Sequence, residues 1–155
     1  MKDEHAPLDY SQITPLILIG KNACCTTHFD ETLLARGVRA DISLEEERID
    51  RPFGVDMFLW LPTEDHKAMT HETADLGIRT LAFFEERNIP CYVHCKNGHG
   101  RAPMLVAAYF MAKRGMTAND AVAAVKAERP AVHLQDEQLA FLRERERTEY
   151  GYQIR

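Results

Sequence analysis

The run Val93-His94-Cys95-Lys96-Asn97-Gly98-His99-Gly100-Arg101-Ala102-Pro103 constrains this chain more than any other stretch. An apolar segment, 91–94, leads into it as a strand, and a long helix-forming segment, 102–113, follows. A loop that leaves a strand and enters a helix aims several backbone N–H groups at one point, with the positive end of the helix dipole behind them. Gly98 and Gly100 let the backbone curl into such a nest, because both accept positive φ without Cβ strain. Arg101, in the first helical turn, is placed to grip two oxygens of a tetrahedral anion. Cys95 stands at the base of this cradle, where positive potential favours the thiolate, the nucleophilic form of cysteine. The candidate anion contacts are therefore Lys96, Asn97, Gly98, His99, Gly100 and Arg101, around a nucleophilic Cys95.

At 155 residues, with 45% hydrophobic and 28% charged positions, the chain reads as one globular domain over 1–155, with a core of about 8–149. The net charge of −5 argues against nucleic acid, whose binders present a basic face. Residues 1–10 are polar and lack the apolar centre of a secretory signal, and the longest apolar run, 105–111, is too short to span a bilayer. These features predict a cytoplasmic protein with no stable membrane insertion; they leave the oligomeric state open. Cys24, Cys25, Cys91 and Cys95 form neither a disulfide framework nor a zinc pattern. His94, Cys95 and His99 could ligate a metal, but Arg101 and the helix dipole would repel it. No metal or organic cofactor is expected, since arginine and the helix end supply the positive charge.

Short strands are expected at 16–20, 38–44, 55–61 (closed by Pro62) and 91–94. Helices are expected at 27–35, 67–87, 102–113, 117–129 with Thr117 as cap, and 136–149. Segment 102–113 is apolar around most of its circumference and should be a buried central helix. This order predicts an α/β fold, a central parallel-rich sheet flanked by helices on both faces, with Cys95 at the carboxyl ends of the strands. The runs Glu45-Glu46-Glu47 and Arg143 to Arg147 read as solvated faces.

His-Cys, a five-residue spacer and Arg, with glycine third and fifth after the cysteine, resembles the signature loop of the protein tyrosine phosphatase superfamily. The short chain resembles its small dual-specificity (atypical) branch, over about 16–142. The resemblance implies a cysteine-phosphatase-like fold and hydrolysis of phosphate monoesters through a phosphocysteine intermediate. Arg101 would bind the phosphate and steady its transition-state charge, and His94 would support the loop by hydrogen bonding. The family carries an acidic residue on a loop about thirty residues before the cysteine. Asp65 lies 30 positions before Cys95, in Leu61-Pro62-Thr63-Glu64-Asp65-His66, and is the candidate general acid and base. Glu64 is the alternative, and capping of the next helix is the structural reading of both. Gln138 resembles a water-positioning glutamine, with a solvated helix-start residue as the other reading. Ala102 departs from the family, which usually carries a hydroxyl residue there to stabilise the departing thiolate; slower turnover of the intermediate is expected.

The resemblance implies a phosphorylated protein (phosphotyrosine, phosphoserine or phosphothreonine) or a small phosphate ester as partner. Lys96 and His99 keep a phosphoinositide or phospholipid phosphate in view. A rhodanese-type sulfurtransferase and a catalytically weak phosphate-binding module are rivals from other classes. Cys91 reads as a core residue or as a thiol that traps an oxidised Cys95; Cys24 and Cys25 are further candidates for that role.

Overall fold

The computed structural model describes residues 7–22 and 28–148. Five strands, β1 (Tyr10–Gln12), β2 (Ile17–Gly20), β3 (Ala40–Glu45), β4 (Met57–Thr63) and β5 (Cys91–His94), form one sheet in the order β1-β2-β5-β3-β4. β1 is antiparallel to β2, whereas β2, β5, β3 and β4 run parallel. The helices are α1 (Glu31–Ala35), α2 (His71–Glu86), α3 (Arg101–Arg114), α4 (Ala118–Glu128) and α5 (Asp136–Arg147).

β5 lies between β2 and β3, so both its faces are covered and all four of its residues are buried. Its alternation sorts them. Cys91 and Val93 join Ile17, Ile19, Ala40 and Ile42 in the large apolar core with residues of α2–α5, while Tyr92 packs with Leu18, Phe29 and Leu33 on the other side. The sheet therefore has helices on both faces, but unequally, since only the five-residue α1 belongs to the smaller cluster.

Local chemistry sets the helix ends. Thr70 and Thr117 cap α2 and α4 through their hydroxyls, and Asp30 caps α1 at Glu31, later than the expected start at 27, which lies outside the described residues. In α3, residues 101–110 are all buried, as its all-round apolarity predicted, and Gly115 ends it at φ +65°. Pro62 lies inside β4 rather than after it; β4 is an edge strand, where a missing N–H leaves no ladder bond unmade. β1, with no apolar run to announce it, exists through its pairing with β2. Arg145 corrects the solvated reading of 143–147: it is buried over the Phe141 ring and pairs with Asp75 at 2.7 Å. No described helix is long and apolar enough to cross a membrane.

Candidate active site

The parallel strands deliver their C-terminal ends to one edge, where Gly20 and Ser43 flank His94 in register. Cys95 comes next, and the loop it opens ends at Gly100, the residue before α3. Each carbonyl from Lys96 to Gly100 accepts a hydrogen bond from beyond the loop's own turn. Lys96 O takes Asn22 N at 3.4 Å, His99 O takes His133 N at 2.8 Å and Gly100 O takes Met104 N at 2.8 Å. Arg129 serves the other two: its Nη2 donates to Asn97 O at 3.1 Å and its Nε to Gly98 O at 2.9 Å. With carbonyls turned outward, successive peptide N–H groups face the inside of the loop.

Arg129 was not singled out in the sequence. It is 2% exposed and also donates to Asp9 and to Ser11 of β1, so one guanidinium ties the loop to the sheet edge. Gly98 takes φ +69°, and a Cβ there would come 2.6 Å from Gly20 O. Gly100 has φ −131° and needs no left-handed freedom; its bareness matters because a Cβ would lie 2.9 Å from Gln138 Oε1.

Arg101 is 1% exposed. Its Nη1 donates to Thr63 O at 2.8 Å and to Glu47 Oε2 at 3.0 Å, and its Nη2 lies 3.4 Å from Asp65 Oδ1. Its Nε is buried and donates to no described group. Glu47 is exposed, as a solvated face requires, yet it also reaches over the sheet edge to Arg101. Desolvation pushes the Glu47 carboxyl up, but the hydrogen bond from Arg101, a backbone hydrogen bond and the charges of Arg101 and Lys96 together outweigh it, and the group sits below the usual carboxylate range. Glu45 corrects the reading of 45–47 as a solvated face: it is buried, accepting from Asn22 Nδ2 at 3.1 and 3.2 Å.

Asp65 does not cap α2, whose cap is Thr70, so the structural reading of Asp65 falls away. Its Oδ1 accepts from His66 N at 3.0 Å, with His66 in a left-handed conformation at φ +65°. Gln138 is buried rather than solvated. It accepts from Gln135 N to close a capping box on α5, and its Nε2 donates to Lys67 O at 3.2 Å. Glu137 adds an ion pair with Lys67 at 3.1 Å, so the segment carrying Asp65 is moored to the start of α5.

These residues surround a cavity of about 170 Å³ lined by Asp65, His66, Cys95, Asn97, His99, Gly100, Arg101, His133, Gln135 and Gln138. Lys96 is exposed, Gly98 is buried in the loop wall, Glu64 is exposed, and none of the three lines it. Behind the loop, His94 Nε2 lies 3.1 Å from Asp41 Oδ1 and 3.2 Å from Asp50 Oδ2. Donor atoms of these three residues lie within 4.8 Å of one another, a spacing that suits a cation. Arg48 Nε, 3.0 Å from Asp50 Oδ1, already supplies positive charge there and opposes one. Cys91 is fully buried in the apolar core, and burial, with Asp41 adding to it, pushes its thiol far up. Three residues of extended strand lie between it and Cys95, four steps or about 13 Å of rise, too far for a disulfide. Cys24 and Cys25 lie outside the described residues.

Residues 28–148 match the dual specificity phosphatase, catalytic domain. The chain belongs to that family. The fold agrees with it: a mouse putative dual specificity phosphatase, solved with zinc tungstate, superposes with a TM-score of 0.78 at 25% identity, covering 96% of this chain and 92% of that one. Human DUSP28 gives 0.79 at 21% identity, over 93% and 97% of the two chains. PTPMT1 in complex with PI(5)P gives 0.75 at 22% identity, over 91% and 96%. No curated protein sequence matches the chain. It is a phosphatase domain of the cysteine type, and the loop at Cys95 is where that chemistry has its candidate residues.

Proposed function

We propose that the chain hydrolyses phosphate monoesters through a phosphocysteine on Cys95. The observation that carries this reading is the convergence of Cys95, Arg101 and Asp65 on one cavity of about 170 Å³. The Cys95 thiolate attacks phosphorus, and the P–O bond to the leaving oxygen breaks as the P–S bond forms. Arg101, with its Nε uncommitted and its Nη2 only loosely held by Asp65, joins the loop amides around the equatorial oxygens. Asp65 protonates the departing oxygen. The resulting carboxylate then takes a proton from water as that water attacks phosphorus, and the P–S bond breaks to return the thiolate. Gln138, on the cavity wall, is placed to orient that water.

The substrate that the family suggests first is a phosphorylated tyrosine, serine or threonine side chain in a protein. A second reading rests on the wall of the cavity. Among the described residues it holds three histidines, two glutamines and an asparagine, and no aliphatic, phenylalanine, tyrosine or tryptophan side chain. A phosphotyrosine ring needs apolar walls to leave water, whereas a hydroxylated headgroup is matched by polar ones. This favours an inositol phosphate or phospholipid phosphate over an aryl phosphate, in line with PTPMT1, whose structure holds PI(5)P.

Phosphate release from an aryl phosphate, in chelator and mildly acidic buffer, tests the chemistry by comparison with Cys95→Ser. Turnover that disappears in the variant supports the mechanism; turnover that persists removes Cys95 from it. Relative kcat/KM for a phosphotyrosine peptide, a phosphothreonine peptide and vesicles carrying PI(5)P then separates the two substrate readings.

A further inference from the structure

We propose that Asp41 and Asp50 are positioning residues for the nucleophile, clamping His94 from the face of the sheet that Cys95 does not share. The inference deepens the phosphatase reading and rests on it for its catalytic meaning. The strand alternation of β5 places His94 opposite Val93 and immediately before Cys95. His94 is 1% exposed, Asp41 1% and Asp50 7%. The two carboxylates approach the same ring nitrogen from different segments, Asp41 from the neighbouring strand β3 and Asp50 from the connector between β3 and β4. The Tyr92 ring lies against the imidazole, with centroids 5.3 Å apart and planes inclined by 20°. Both approaches are ion-pair distances without hydrogen-bond geometry, and His94 Nδ1 meets no described partner, so the carboxylates and the ring face bracket the imidazole by charge and packing.

The charges that face His94 define its state. On β3 they are Asp41 and Glu45; on the connector, Asp50 and Arg48, the latter 3.0 Å from Asp50 Oδ1 and 3.6 Å from Glu45 Oε2. Tyr92 flanks the ring, and His28, before α1, and Arg51 line the small space that Asp41, Asp50 and His94 share. Desolvation works against a charged imidazole, yet Asp41 first, then Asp50 and Glu45, outweigh it and raise His94 above its ordinary value. Burial also raises Asp41, with His94 pulling the other way, so the pair retains its proton. The raised imidazole favours a cationic ring one residue from the sulfur. A buried set of this kind adds little net stability compared with apolar packing, so its effect is sought in the chemistry of Cys95.

The test is the pH dependence of Cys95 alkylation by iodoacetamide in the wild type, Asp41→Asn, Asp50→Asn and the double variant. The clamp predicts a profile displaced to higher pH by about one unit in each single variant and further in the double. It also predicts a kcat for an aryl phosphate that falls about tenfold with KM within about twofold. Profiles that superpose on the wild type in folded variants overturn it. Imidazole NMR of the wild type needs no variant: a His94 ring protonated through neutral pH supports the clamp, and a neutral ring overturns it. Neither alkylation nor NMR requires turnover, so failure of the phosphatase reading and failure of the clamp are separate results.

Discussion

The two faces of β5 are built from opposite materials. Cys91 and Val93 point into an apolar core supplied by α2–α5, whereas on the other face Tyr92 packs in a small apolar cluster near α1 and His94 beyond it meets aspartates, a glutamate and an arginine. Both sides are dry, so the difference is not exposure. The apolar side fixes where Cys95 stands and supplies no partner for its charge. The polar side sets the charge and aim of the residue before it. A packing defect should therefore cost stability without altering chemistry, and a polar defect should do the reverse.

The largest effect expected is on the apolar side. Leu105 is fully buried on α3, against the Cα of Gly77, where an added Cβ would lie 2.6 Å from Leu105 Cδ1. Leu105→Ala should lower unfolding free energy by about 3 kcal/mol through lost burial and the cavity left behind. Activity per folded molecule should stay within about twofold. Urea unfolding paired with active-site titration checks both; a large loss of kcat in the folded fraction would break the division between the faces.

Arg129→Met comes next and should show the opposite pattern. Its guanidinium holds the Asn97 and Gly98 carbonyls outward and anchors them to Asp9 and Ser11. Without it the loop amides lose their common aim, and kcat/KM should fall by about 100-fold, a loss of about 2.7 kcal/mol at the transition state. Methionine fills much of the space, so a thermal midpoint displaced only slightly is expected. Stability that collapses while kcat/KM of the folded fraction survives would reassign Arg129 to the frame.

The same contrast explains what could be read from the sequence. The strand 91–94 and helix 102–113 were legible because apolar period and glycine punctuation are local properties, and so was the convergence of Cys95 with Arg101. Asp65 was legible only through its distance from Cys95 and the family's habit. Asp41 gave no signal in the sequence beyond its place in the expected strand 38–44. In a strand with one wet face, Asp41 and Ser43 would point to solvent, but β3 is an interior parallel strand with both faces covered. An acidic residue there is forced into a partnership the sequence cannot name. Glu47 and Asp50 were submerged in a charge run, and Arg129 in an ordinary helix end, because their partners lie 54, 44 and about 30 positions away.

A smaller effect sharpens the comparison through pH. A His94 raised in the folded state contributes stability that is fully present below its unfolded value, about 6.5, and is lost as pH rises through the higher folded value. Wild-type unfolding free energy should therefore decline from mildly acidic to alkaline pH. His94→Gln removes this contribution, so its curve should be flatter over the same range. Urea midpoints across that range give the slopes, and parallel curves would mean that the imidazole carries no folding-linked proton.

The smallest effect expected concerns Ala102, the second residue of α3, which is fully buried against the apolar core one position beyond Arg101. The apolar face ends here, and the reaction would profit from a polar group. When the phosphocysteine hydrolyses, negative charge returns to the Cys95 sulfur, and alanine offers it no donor. Dephosphorylation should then be the slow step, so that an aryl phosphate gives a burst of phenolate before steady release of phosphate. Ala102→Ser adds one hydroxyl in a dry place, where it must find an acceptor or destabilise the fold by about 1 kcal/mol. The returning thiolate is such an acceptor, and a hydrogen bond of about 1 kcal/mol to it would speed turnover about fivefold and shrink the burst. Rapid-quench kinetics on both proteins decide the matter. A wild type without a burst, or a folded serine variant with turnover unchanged, would place the slow step elsewhere and leave the apolar face with no part in the chemistry.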